Sequence, residues 1–485
     1  MENYNESRNE AWREELRKSK TAKERNNIAR VEMPQLDPAY RITCNEEVNQ
    51  GINAEQAVLE ATRCLDCPNP QCVTGCPVGI NIPKFIKNIE RGEFAQAAAT
   101  LKETSSLPAV CGRVCPQEKQ CESKCIRLKM KQPAVAIGYL ERFAADWQRN
   151  NTKQEVPPMK PSNGIKVAVI GSGPSGLSFA GDMAKQGFDV TVFEALHEIG
   201  GVLKYGIPEF RLPNSIVDYE IDGLRMMGVK FEKDVLVGKT ITYDDLHEQG
   251  FKGVFVGSGA GFPRFMDIPG ENLIGVMSSN EYLTRINLMS AGRGGDTPVM
   301  QGETIAVIGG GNTAMDSTRT ALRMGAKRVI LVYRRSEEEM PARREEVGHA
   351  KEEGVEFMTL HNPIEYIGDE KGHIKAMRIQ RMELGEPDAS GRRSPVPVEG
   401  AIEEIPVDIV IVAVGVSPNQ LVPRSIKGLD VSRRNTIVVN EETMQSNIGD
   451  LYAGGDIVRG GATVILAMGD GRRAAQNMAK QLLGE

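Results

Sequence analysis

A chain of 485 residues exceeds what one hydrophobic core can organise, since cores stop growing at about 250 to 300 residues, so about three domains are expected. With 40% hydrophobic and 26% charged residues the composition is that of a soluble globular protein, and a net charge of −6 supplies no basic footprint for nucleic acid. The first residues, from Met1 to Arg30, mix acids and bases without an apolar segment, and nowhere is there an apolar run of the roughly 18 residues that a membrane span needs, so a cytoplasmic protein is expected.

Residues 1–155 read as a small helical domain. After a charged opening segment come amphipathic stretches at Ala54 to Thr62, Ile82 to Glu90, Glu93 to Leu101 and Ala136 to Gln148, with loops between them. All nine cysteines lie in this part, from Cys44 to Cys125. Clustered thiols in a cytosolic chain indicate metal binding or redox chemistry rather than a disulfide scaffold. Eight of them form two runs: Cys64, Cys67, Cys72 and Cys76 as CxxCxxxxCxxxCP, and Cys111, Cys115, Cys121 and Cys125 as CxxxCxxxxxCxxxC. Iron-sulfur clusters take thiolates from such irregular loops, and a Cys-Pro ligand in two-cluster ferredoxins serves the other cluster. Zinc also takes four thiolates. Cys44 stands outside both runs and reads as a small buried residue.

The stretch from Asn150 to Gly164 has linker composition. Beyond it, short apolar strands, Gly-rich turns and amphipathic helices alternate, which is the pattern of parallel α/β folding. The expected division is 156–290 and 406–485 as the two parts of one nucleotide domain, with 291–405 as a second domain inserted between them.

Lys166 to Ile170 reads as a buried strand, followed by Gly171, Gly173 and Gly176 in GxGxxG spacing, a helix, and Glu194 after the next strand. The first glycine makes the tight turn, the second admits a pyrophosphate and the third lets helix pack on strand. The helix N-terminus offers free N–H groups to the phosphates, and the acid can accept hydrogen bonds from a ribose. Thr304 to Ile308 with Gly309, Gly311 and Ala314 repeats the device, but the strand Arg328 to Tyr333 ends in Arg334 and Arg335 where an acid would stand. Guanidinium groups clasp a 2′-phosphate that a carboxylate would repel, so NADP(H) is expected here. Near the end, Leu451 to Asp456 (LYAGGD) closes a strand before a helix starting at Thr463. Its acid can hold the sugar-alcohol chain of a flavin, and the helix's positive end favours charge on a reduced ring, which makes FAD the ligand of the first site. Gly257 to Ala260 and Gly415 to Pro418 read as crossover segments between the two nucleotide domains. The cofactor-binding residues nominated are Gly171, Gly173, Pro174, Ser175, Gly176, Glu194, Gly201, Asp456 and Thr463 for FAD, and Gly309, Gly311, Asn312, Thr313, Ala314, Arg334 and Arg335 for NADP(H). Ala389 to Ala401 reads as a hairpin loop.

Taken together, RCLDCPNPQCVTGCPVGINIP, VCGRVCP, CESKC, AIGYLERFAADW, VIGSGPSGL, GGVLKYGIPEFRLP, VIGGGNTAMD, YRRSEEEMPARREE and LYAGGDIVRGGATVILAMGDGRRAA cover nearly the whole chain. In these segments the chain resembles the small subunits of NADPH-dependent glutamate synthase. The same module occurs in the large subunit of NAD-dependent ferredoxin:NADP oxidoreductases and at the N-terminus of dihydropyrimidine dehydrogenase. The resemblance implies two [4Fe-4S] clusters from interleaved cysteine runs: one on Cys64, Cys67, Cys72 and Cys125, the other on Cys76, Cys115, Cys121 and a non-thiol ligand at Glu141, with Cys111 left spare. It also implies a large-subunit partner, with hydride passing from NADPH to FAD and single electrons leaving through the clusters. Disulfide reductases need a CxxC beside the flavin, and no cysteine follows Cys125, so electrons must leave another way. Two alternatives stay open: a ferredoxin-linked or electron-bifurcating NADP oxidoreductase, and a non-catalytic partner-binding module with zinc on its cysteines.

Overall fold

The structure is a computed structural model that describes residues 4–291, 294–389 and 391–485. Helices dominate the first part. Ala54–Thr62 starts from a reciprocal capping box between Asn53 and Gln56, which satisfies two otherwise orphaned backbone donors. Ile82–Glu90, Phe94–Lys102 and Ile137–Asn151 follow the expected segments to within a few residues. Their apolar faces meet in a core that includes Phe85, Ile89, Leu101, Val110 and Leu140. That core does not stop at the linker. It continues through Val167, Leu177, Phe179, Met468 and Ala475, so the helical part and the first nucleotide domain share one apolar interior.

The first nucleotide domain is a five-stranded parallel sheet in the order Leu451–Ala453, Phe251–Val256, Lys166–Ile170, Asp189–Phe193, Lys230–Glu232. Strands such as KVAVI can be apolar on both faces because helices cover both sides. The helix Pro174–Lys185 crosses the last long helix, Val464–Leu483, closely enough that a Cβ at Gly471 would lie 2.2 Å from the Ser175 carbonyl oxygen. The second domain repeats the design in the order Val276–Ser278, Ile409–Val412, Thr304–Ile308, Arg328–Tyr333, Glu356–Thr359, again parallel. An antiparallel sheet of His361–Gly368, Ile374–Pro387 and Arg393–Pro406 packs on it through Tyr366, Met377 and Ile379. A short antiparallel pair, Phe262–Pro263 with Val416–Ser417, joins the two nucleotide domains where crossovers were expected.

The strand pairing shifts the boundaries expected from sequence. Val276–Ser278 and Ile409–Val412 both belong to the second sheet, so the inserted domain begins before 291 and ends after 405. The expected loop from Ala389 to Ala401 is mostly strand, because Arg393–Pro406 pairs with Ile374–Pro387. Cys44 is half-buried rather than buried, with its thiol toward the Arg41 carbonyl oxygen at 3.8 Å.

Candidate functional site

Residues of both nucleotide folds border one cavity of about 1340 Å³. On the first fold, Gly171 takes φ +98°, and a Cβ there would lie 2.6 Å from the Gly257 carbonyl oxygen. A Cβ at Gly176 would stand 2.1 Å from the Gly171 oxygen. Gly173 is the opposite case, with nothing within 4 Å of where its Cβ would be. Space is therefore kept free where a pyrophosphate would meet the N-terminus of the helix opened by Gly173, Pro174 and Ser175. Glu194 is buried at the cavity wall, its carboxylate accepting from the Ser172 and Leu196 amides, both at 2.9 Å. Gly201, at φ +55°, packs so close to Gly173 that a Cβ would come within 3.0 Å of its Cα.

Asp456 and Thr463 form the far side of this pocket. Burial pushes the Asp456 carboxyl up to about 6. Its loop is held by Asp470, which accepts from the Gly455 amide at 3.1 Å and pairs with Arg459 and Arg473. Thr463 caps Val464–Leu483, aiming that helix's positive end at the cavity. Tyr205, also on the wall, has its hydroxyl pushed up to about 12 by burial and by the charges of Asp456 and Glu194. Asp470 and Tyr205 were missed in the sequence, where nothing local distinguishes them. The open turn, the buried acids and the helix end together fit a dinucleotide with a flavin ring. Gly173→Val tests this: its φ of −70° suits any residue, so folding changes by about 1 kcal/mol at most. Flavin content of the purified protein should nevertheless fall by about ten- to a hundredfold, the equivalent of one or two lost charge-assisted hydrogen bonds.

The second fold mirrors the first. Gly309 takes φ +144° against the Ala413 oxygen, Ala314 is fully buried, and Gly311 faces open space, with Pro341 Cγ 4.0 Å from its virtual Cβ. Asn312 and Thr313 line the shared cavity, and Asn312 Oδ1 accepts from the Arg343 amide at 2.9 Å. The two arginines are unequal. Arg334 is exposed, whereas Arg335 is buried and committed to the neighbouring hairpin, donating to Asp388 at 2.6 Å and to the Arg393 carbonyl at 2.8 Å.

The thiols sort into two neighbourhoods. Burial, then the nearby Cys64, Cys125 and Cys67, raises the Cys72 thiol well above its ordinary range. Burial likewise lifts Cys64 to about 12, although the Lys87 ammonium opposes this. Around Cys76, burial and the neighbouring Glu141 and Cys115 push the thiol to about 12. Cys121 is raised by burial and by Glu122, Cys76, Glu141 and Cys115. Glu141, on the helix Ile137–Asn151, is buried, and its Oε1 has no hydrogen-bond partner among the described residues. Burial, with Glu220 nearby, pushes its carboxyl up to about 8. A buried carboxyl oxygen without a partner, in the neighbourhood of Cys76, Cys111, Cys115 and Cys121, is chemically suited to be a metal ligand. Cys111 lies in the same neighbourhood, hydrogen-bonded with Cys115, and its Sγ is 3.4 Å from Met468 Sδ. Among the described residues no three His, Cys, Asp or Glu side chains converge closely enough to hold a single metal ion. In a cluster each thiolate binds its own iron, so its ligands need no such common point.

Sequence reasoning also missed a clamp on the first neighbourhood. Asp66, between Cys64 and Cys67, is fully buried at φ +49°. Its carboxylate pairs with Arg13 and Arg17, the latter at 2.7 Å, and Arg8 Nε donates to its carbonyl oxygen at 2.8 Å. Charged helices at the start of the chain carried no periodic signal pointing to a cysteine loop.

Residues 41–153 match the family described as dihydropyrimidine dehydrogenase domain II, 4Fe-4S cluster, and residues 165–471 match pyridine nucleotide-disulphide oxidoreductase. The chain is 36% identical to the glutamate synthase [NADPH] small chain of Escherichia coli (strain K12), over 94% of this chain and 98% of that one. It is 38% identical to the NADP(+)-dependent formate dehydrogenase subunit beta of Moorella thermoacetica, over 85% of this chain and 60% of that one. The fold is shared with Mycobacterium tuberculosis FprA in complex with NADPH, at TM-score 0.56 and 20% identity over 66% of this chain and 85% of that one. Fold and site thus define an oxidoreductase with FAD, NADP and iron-sulfur sites. The residues matching the disulphide oxidoreductase family contain no cysteine, so that part of the chain supplies no dithiol. The chain belongs to the family of glutamate synthase [NADPH] small chains.

Proposed function

We propose that this chain is the electron-donating subunit of a glutamate synthase, oxidising NADPH and passing electrons to a large subunit that forms L-glutamate from L-glutamine and 2-oxoglutarate. When bound, FAD accepts a hydride from NADPH, and [4Fe-4S] clusters carry electrons one at a time. The observation that carries the reading is the placement of the helix Val464–Leu483. Its cap, Thr463, lines the cavity and accepts from Gln120, beside Cys121, at 3.2 Å. One turn on, Met468 touches Cys111, and a Cβ at Gly469 would lie 2.9 Å from the carbonyl oxygen of Pro77, next to Cys76. One element therefore spans the flavin pocket and the second thiol group.

The chain's residues bind and orient. Gly171, Gly173 and Gly176 shape the first phosphate turn, Glu194 and Asp456 offer acceptors to sugar hydroxyls, and Gly309 and Gly311 shape the second turn. No protein acid or base is required, because hydride transfer moves no proton from the protein. Nine free thiols fit a reducing, cytoplasmic setting. Among the described residues no helix is long and apolar enough to cross a membrane.

The loaded chain should reduce an artificial dye with NADPH, and should form glutamate only with the large subunit added. Glutamate from the isolated chain, or no dye reduction, would refute the proposal. The likeness to a formate dehydrogenase subunit supports a second reading, an NADP-binding subunit of another redox complex, which co-purification with a different partner would favour. Arg334→Ala should raise the KM for NADPH about tenfold or more while leaving that for NADH unchanged, the equivalent of about 1.5–3 kcal/mol for a charged hydrogen bond. Arg335→Ala should do less, since its guanidinium is engaged by Asp388. Steady-state kinetics with both nucleotides decides the matter.

A further inference from the structure

An electron donor needs an exit, and all four thiols of the first neighbourhood, Cys64, Cys67, Cys72 and Cys125, are partly exposed, whereas in the second only Cys76 is, and Cys111, Cys115 and Cys121 are buried. The segment running on from Cys125 has an unusual surface. Ile126, Leu128 and Met130 are 38%, 45% and 40% exposed. Lys124, Lys129 and Lys131 are exposed between and beside them. None of these lysines is in an ion pair among the described residues, and the sequence has no acid between Glu122 and Glu141. In a chain of net charge −6 this is a local concentration of positive charge. The backbone beneath is fixed: the buried Arg127 donates to the carbonyl oxygens of Pro133 at 3.0 Å and Arg25 at 3.2 Å, and to Asn26 Oδ1 at 2.7 Å. Such a surface is pre-organised, which lowers the ordering cost of binding.

We propose that residues 124–131 are the docking surface for the protein that accepts the electrons, met through a carboxylate-rich face around the acceptor's own redox centre. The inference rests on the electron-donor reading above and deepens it. Opposite charge steers such an encounter and accelerates it at low salt, while a few exposed apolar side chains exclude water at the contact. Each transfer moves one electron and forms no bond, so one NADPH, leaving as NADP⁺ and a proton, reduces one two-electron acceptor by two successive transfers or two one-electron acceptors such as the ferredoxin probe. Basic and apolar residues together could also suit an anionic lipid surface, but continuity with Cys125 favours a redox protein.

The test compares two acceptors for the loaded chain with NADPH: an acidic [2Fe-2S] ferredoxin as protein probe, and a small uncharged quinone. For the wild type, the ferredoxin rate should fall about tenfold between low and physiological salt. The triple variant Lys124→Glu, Lys129→Glu, Lys131→Glu should lose about tenfold or more in kcat/KM for ferredoxin at low salt, and its salt dependence with it, while quinone reduction stays unchanged. Leu128→Ser should weaken ferredoxin turnover at every salt concentration. Equal ferredoxin rates for wild type and triple variant, or quinone turnover with no ferredoxin reduction, would overturn the docking surface. So would charge-dependent binding to phosphatidylserine vesicles with ferredoxin turnover unaffected. Loss of quinone reduction in the wild type would instead overturn the electron-donor reading.

Discussion

Replacing Glu141 by alanine should remove about half of the iron from the purified chain, from about eight atoms to about four, if each cluster is a [4Fe-4S] cube. Flavin content should be unchanged, because Glu141 does not border the nucleotide cavity. The prediction rests on an unmet need: a buried carboxyl oxygen without a partner costs about 1–3 kcal/mol or more, and a metal ligand offsets this. Burial holds the group in its acid form up to about 8, so binding iron must displace a proton, as it must from the neighbouring thiols. Cys111→Ser is the control. Its thiol is engaged with Cys115 and Met468, and the variant should keep its full iron content. Iron and acid-labile sulfide assays on both variants decide it, and a reversed pattern would make Cys111 the ligand.

The second large effect concerns stability. Glu353→Ala should lower unfolding free energy by about 3–5 kcal/mol, the usual cost of removing one partner from a buried ion network. The fully buried Glu353 carboxylate receives Arg41 Nε at 2.7 Å, Arg319 Nη2 at 2.8 Å and Arg323 Nη1 at 2.8 Å, and Arg319 and Arg323 lie over the Phe210 ring. Removing it leaves the Arg323 guanidinium without a counter-charge in the interior, while Arg319 keeps Glu346 and Arg41 keeps only the half-exposed Glu352. Burial alone would raise this carboxyl, but the hydrogen bonds and charges of Arg319 and Arg323 hold it at about 2. Because that lies below its unfolded value of 4.5, its contribution is complete above about pH 4.5 and is lost as pH falls toward 2. Denaturant titrations at several pH values should show the wild type losing stability across this window and Glu353→Gln losing less.

What the sequence made legible was local. Each nucleotide turn is a run of a few residues whose spacing is its mechanism, so Gly171, Gly173 and Gly176 could be assigned separate duties, and the close contacts at Gly171 and Gly176 and the open space at Gly173 agree with them. Helix positions were legible from amphipathic stretches, and Ala54–Thr62 and Ile82–Glu90 run as expected. Long-range pairing was not legible. Nothing in Val276–Ser278 announces that it lies beside Ile409–Val412, and the domain limits moved for that reason. The arginine pair after the second nucleotide strand looked equivalent because the hairpin that engages Arg335 is distant in sequence. The thiol pairing came from resemblance rather than spacing, since two interleaved runs allow many partitions. Asp470 and Asp66 were invisible because their importance lies in what they hold.

The Asp66 clamp has an electrical consequence. Two guanidinium groups set against one carboxylate leave a net positive charge inside the loop of Cys64 and Cys67, and nearby positive charge favours the reduced form of a redox centre. A cluster on those cysteines would thereby be biased toward its reduced form. Removing Arg17 should shift that cluster's midpoint potential to more negative values in a redox titration and leave the other where it was. The first helices would then act as a voltage setting for the site they cover.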